Sequence, residues 1–170
     1  MSNELPEVNH ESKDPEIRQF QRNLATFRKL AGWTAQDLGD KVGITKQSVH
    51  NLECIPCKVC LSSGRYVMIR SVLEQEANER LKNDDMILRR ALDVLLAPEA
   101  VDDTIESEKE KVAYLETVSE AQKRGTDKKY IASMLTLLVP LIGSVPFAGA
   151  IATIGSTWLE RYLNKNKKPV

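Results

Sequence analysis

The sequence predicts an all-α protein with three parts: a small helical domain near the N-terminus, a helical linker, and a hydrophobic C-terminal helical hairpin or membrane segment. Three observations carry that prediction. Apolar residues recur at spacings of three and four, as in Ile17, Phe20, Leu24, Phe27 and Leu30, which is the period of a helix face. Aromatics are only 5% of the 170 residues and charged residues 28%, a balance that suits helices packed through aliphatic side chains. From Ile131 to Leu159 no side chain is charged. The expected divisions are a disordered polar leader over 1–14, a helical domain over 15–82, an acidic helical linker or oligomerisation region over 83–125, and the hydrophobic segment with its basic tail over 126–170.

The first helix is expected from Pro15, well suited to a first helical position, to Ala31, with Gly32 ending it. Thr34 is a good N-cap for the second, and Asp37 adds negative charge to its first turn. That helix runs to about Val42 and buries Leu38 and Val42. Gly43 supplies a tight turn that a β-carbon would strain. Thr45 caps the third helix, which continues through Leu52 with Val49 and Leu52 pointing inward. Lys46, Gln47, His50 and Asn51 are left for its outer face. Gly39 stands where the two short helices approach, and Ile44 follows the turn to close the small core. Two short helices joined by a glycine turn, with polar and basic residues on the exposed face of the second, form the arrangement that reads DNA in the major groove.

The stretch from Gly32 to Glu53, GWTAQDLGDKVGITKQSVHNLE, resembles the Cro/CI-like (XRE) helix-turn-helix regulators of bacteria and phages, without a gap. The resemblance covers roughly Pro15 to Leu73 and implies a lambda-repressor-like DNA-binding domain. It further implies that Lys46, Gln47, His50 and Asn51 face base edges. Lysine donates to guanine O6 and N7, while glutamine or asparagine bridges adenine N6 and N7. Gln36, Thr45 and Ser48 are expected on phosphates, which position the protein but do not specify sequence. Gly39, Gly43, Val49 and Leu52 are then structural. So are Arg28 and Glu53, which stand where the family pairs an arginine near the end of the first helix with a glutamate after the base-reading helix. The family pattern continues with glycine, whereas this chain has Cys54-Ile55-Pro56-Cys57-Lys58-Val59-Cys60, so the loop shape departs from it.

Tyr66, Ile69, Val72 and Leu73 resume helical spacing, followed by helical stretches at Glu74–Leu81 and Asp85–Leu96. Thr104 to Arg124 is a charged helix whose Ile105, Val112, Leu115 and Val118 form a thin stripe, fitting either a dimer seam or packing on its own chain. The uncharged stretch 131–159 exceeds the ~18–20 residues of a membrane-span candidate. Tyr130, Trp158 and Tyr162 stand near its ends as interfacial anchors would, and Ala148, Ala152 and Ser156 make a small-residue face. Pro140 and Pro146 bracket a bend, and lysines or arginines flank both sides. A membrane hairpin and a buried helical hairpin in an oligomer both fit.

Composition bounds the function. With 24 basic and 24 acidic residues the formal charge is zero, so nucleic-acid binding must rest on local charge. A basic excess lies between Asp14 and Arg70, from Arg18, Arg22, Arg28, Lys29, Lys41, Lys46, Lys58, Arg65 and Arg70. Cys54, Cys57 and Cys60 fit a reducing compartment better than a disulfide framework. They read either as reduced thiols packing a loop or as a zinc, iron–sulfur or redox site with His50 as a fourth ligand. No nucleotide-binding loop, nucleophile elbow or acid–base constellation is visible, so no enzyme and no cofactor are expected. The expectation is a cytoplasmic regulator, a repressor, binding double-stranded DNA as a homodimer. Membrane association through 131–159 and an effector of unknown chemistry are further expectations. The competing readings are a membrane-active protein whose C-terminal segment is the effector, and an antitoxin that also binds a toxin.

Overall fold

A computed structural model describes residues 10–96, 115–118, 120–131 and 157–166. Among them every regular element is a helix: α1 (Pro15–Arg22), α2 (Leu24–Leu30), α3 (Ala35–Val42), α4 (Lys46–Glu53), α5 (Ser63–Leu81), α6 (Ile87–Leu95) and α7 (Thr157–Lys165), with further helical residues at 115–118, 120–123 and 128–131.

The helix expected over 15–31 is divided at Asn23. Its backbone N–H is shared between the Gln19 and Phe20 carbonyls, and its own side-chain amide also donates to Gln19 O. A short amide side chain competing for the same carbonyl explains the break. The apolar stripe survives it, because Ile17, Phe20, Leu24, Phe27 and Leu30 are all buried. Of the leader expected over 1–14, residues 1–9 lie outside the described residues and residues 10–14 make contacts with the rest of the chain. The His10 N–H donates to Cys57 O, Glu11 pairs with Arg22 at 2.8 Å, and Asp14 caps α1 by accepting from Glu16 N–H. Helix α5 runs unbroken through 19 residues, so the two stretches on either side of Glu74 are one element.

The core does not stop at Lys82. Ile87, Leu88, Ala91, Leu92 and Leu95 of α6 are buried in the same apolar cluster as Phe20, Phe27 and Leu73. Gln19 donates to Leu95 O at 3.4 Å, and Arg89 pairs with Glu74. Farther on, Leu115 and Val118 are buried in that cluster, so these two residues of the thin stripe pack on their own chain; Ile105 and Val112 lie outside the described residues. Gln122 donates to Leu30 O and Arg80 to Ala31 O, so the carbonyls that α2 leaves unpaired at its end are satisfied from distant parts of the chain. Asp85, buried, accepts from Ile87 N–H and meets Arg80 and Lys128.

Trp158 and Tyr162 correct another expectation. They are buried against Tyr66, with ring centroids 6.1 and 5.1 Å away, rather than standing as membrane-interface anchors. The periodicity that places two aromatics one turn apart is equally that of a helix face packed on protein. Ile131, at the other end of the uncharged stretch, is also buried in the cluster, while Tyr130 is exposed. Pro140, Pro146 and the small-residue face lie outside the described residues, and among those described no helix is long and apolar enough to cross a membrane.

Candidate nucleic-acid interface

Helices α3 and α4 are held as a pair by their caps and by one turn. At the start of α3, Thr34 Oγ1 accepts from Asp37 N–H, and the Asp37 carboxylate accepts from Thr34 N–H at 2.7 Å. The hydroxyl and amide of Thr34 hold the Asp37 carboxyl below its usual range. Its stabilising effect is therefore complete above the unfolded pKa of 3.8 and is lost as pH falls through the lower folded value. At the other end Gly43 is left-handed, with φ of 71°, and Ile44 N–H returns to Gly39 O at 2.9 Å. Gly39 is needed for a different reason. A β-carbon there would stand 2.5 Å from Ile44 O, inside the turn's own backbone.

Helix α4 begins at Thr45, whose hydroxyl accepts from Ser48 N–H at 3.1 Å and shares a second hydrogen bond with Ser48 Oγ. Val49 and Leu52 are buried. Lys46, Gln47 and His50 are exposed, and Ser48 and Asn51 are half-buried. Gln47 Nε2 donates to Asn51 Oδ1 at 3.0 Å across one turn. That bond leaves the Gln47 carbonyl oxygen as acceptor and the Asn51 amide as donor on the same face. A shallow open groove between the helices is lined by Gln36, Asp40, Thr45, Lys46 and Gln47. Gln36 donates to Asp40 at 2.7 Å, so an anion approaching it meets an amide already engaged by a carboxylate.

The far end of α4 is anchored twice. Arg28 grips Glu53 with two bonds, Nε–Oε1 at 2.6 Å and Nη2–Oε2 at 2.9 Å, and its third nitrogen donates to Trp33 O. One arginine thus ties α2 to α4 and to the segment that opens α3. Lys41 lies over the Trp33 ring, 4.7 Å from its centroid. The second anchor, Gln21, is absent from the sequence-based expectations. It is buried, its amide donates to Leu52 O and Val59 O, and its carbonyl accepts from Leu61 N–H. The signal was available: Gln21 follows Ile17 by four and precedes Leu24 by three, so it is a polar residue in the middle of an apolar stripe.

The loop that Gln21 spans carries the cysteines, all three reduced. Cys57 is buried, Cys54 half-buried and Cys60 exposed. Burial pushes the Cys57 thiol up, and the neighbouring Glu11 carboxylate adds to the shift. Among the described residues no three His, Cys, Asp or Glu side chains converge to hold a metal ion. The basic residues of the front half divide by role. Arg22, Arg28 and Arg70 are committed to carboxylates, whereas Lys29, Lys41, Lys46, Lys58 and Arg65 are exposed. Compared with known proteins, the chain matches no family model, no curated protein and no solved structure.

Proposed function

We propose that the protein is a sequence-specific DNA-binding regulator of the Cro/CI-like kind, a repressor acting as a homodimer, with α4 entering the major groove. The observation that carries the reading is the division of α4 into a buried face, Val49 and Leu52, and an outward face bearing Lys46, Gln47 and His50. A helix so anchored from behind presents a polar edge that is exposed at Lys46, Gln47 and His50. Preorganisation matters because a base contact made by an already ordered side chain costs little conformational entropy. The Gln47–Asn51 pair offers one acceptor and one donor side by side, the complement of adenine N6 and N7. Lys46 supplies the donor that suits guanine. Zero net charge fits a protein whose affinity comes from a local patch rather than from a general field. Two copies would place their α4 helices on half-sites about one helical turn, or a multiple, apart.

The test is selection of bound duplexes from a random pool at defined salt, followed by Lys46→Ala and Gln47→Ala. Each substitution is expected to weaken the selected site by about 1–3 kcal/mol relative to random DNA. Equal losses on both would reassign these residues to phosphate contacts, and no enrichment from the pool at low salt would remove the proposal.

A further inference from the structure

Helix α7 is nine residues long, shorter than an isolated helix needs to persist in water, so its helicity depends on the surface beneath it. That surface is formed by α1 and α5. Trp158 and Tyr162 close on Tyr66, and the Arg70 guanidinium lies 4.3 Å from the Trp158 ring centroid. The distal end is wetter: Leu163 is 52% exposed, and Lys165 reaches Asp14 at 3.6 Å and Glu16 at 3.9 Å. The buried polar atoms underneath are satisfied elsewhere. Arg70 donates to Glu16, Tyr66 and Glu74, and the Tyr66 hydroxyl donates to Glu16. Those bonds stay within α1 and α5. Lifting α7 therefore removes the ring contacts but leaves the buried Arg70 and Tyr66 with their partners in α1 and α5. An interface with that property can open without unfolding what it covers.

Helix α1 connects this surface to α4. Its first turn carries Glu16, which meets Tyr66, Arg70 and Lys165; its last turn carries Gln21, which holds Leu52 O, Val59 O and Leu61 N–H. We propose that α7 is a detachable clasp whose docking on the α1–α5 face is transmitted along α1, through Gln21, to the end of α4 and the cysteine-bearing loop. The proposal goes beyond DNA reading and holds or fails independently of it.

Hydrogen exchange and tryptophan emission on the full chain test it. In the unmodified protein, α7 amides are expected to exchange faster than those of α5 between Ile69 and Leu73, by local opening. In a Trp33→Phe background, where Trp158 is the remaining tryptophan, Lys165→Glu sets a carboxylate beside Asp14 and Glu16 and removes no buried side chain. The expected result is a red shift of Trp158 emission together with lost protection at the Leu61 amide, while the Ile44 amide in the α3–α4 turn keeps its protection. Tyr162→Ala is expected to do the same. A red shift with Leu61 unchanged would overturn the transmission. Emission unchanged in both variants, with α7 exchanging no faster than α5, would overturn the clasp and make α7 a fixed part of the core.

Discussion

Of three glycines, Gly39, Gly43 and Gly64, two answer to different physical demands and the third to neither. At Gly39 a β-carbon meets the Ile44 carbonyl at 2.5 Å. Gly39→Ala is expected to cost about 1–3 kcal/mol, because backbone must move to admit it. At Gly43 there is open space, but φ is +71°, so Gly43→Ala is expected to cost about 1–2 kcal/mol from conformation alone. Gly64, in the first turn of α5, has neither constraint, and Gly64→Ala is expected to stabilise by about 0.5 kcal/mol through a less flexible unfolded chain. Urea titration of the three variants checks the order, and a Gly39→Ala protein as stable as the parent would refute the crowding argument. The cysteines divide in the same way. Cys60 is exposed and Cys57 is buried with its thiol pushed up, so a thiol reagent at neutral pH is expected to label Cys60 first and Cys57 last. Peptide mapping after a short exposure reads the order directly.

Among the elements, α4 owes its position more to its two anchors than to its own sequence. Eight residues are too few to be helical alone, and the Thr45 cap offsets only part of that cost. The Arg28–Glu53 pair ties the far end of α4 to α2, with side chains only 12% and 7% exposed. Removing either partner leaves a poorly solvated charge, so Arg28→Ala or Glu53→Ala is expected to cost about 3 kcal/mol. Arg28→Met with Glu53→Leu together is expected to recover part of that loss, since no charge is left unpaired and only the Trp33 carbonyl loses its donor. Losses that simply add in the double variant would show the two residues acting separately. The resemblance to the Cro/CI-like regulators implies this pairing from the places Arg28 and Glu53 take in the sequence. Nothing in the resemblance points to Gln21, whereas its place in the apolar stripe of α1 marks it as a buried polar group needing partners.

For the molecule as a whole, the apolar cluster extends past the boundary that composition suggests. Acidic character rises after Val72, yet Leu88, Leu92 and Leu95 are buried with α2 and α5. A fragment ending at Lys82 is expected to be much less stable than one ending at Leu96, because each buried leucine lost is worth about 2–5 kcal/mol. Equal denaturation midpoints for the two fragments would place the domain edge where composition puts it. Arg80 and Gln122 point the same way, since each satisfies a carbonyl at the end of α2.

What the sequence determined by itself was local: the caps at Thr34 and Thr45, the left-handed turn at Gly43, and which face of each short helix is apolar. These follow from chemistry within four or five residues, and periodicity reports them faithfully. Tertiary structure alone decided what each apolar face packs against. Trp158 and Tyr162 carry the same pattern whether they meet lipid or Tyr66, and Leu115 and Val118 whether they meet a second chain or their own. A hydrophobic stripe gains free energy from any apolar surface that excludes water, so the choice among surfaces is made by the assembled shape and not by the stripe.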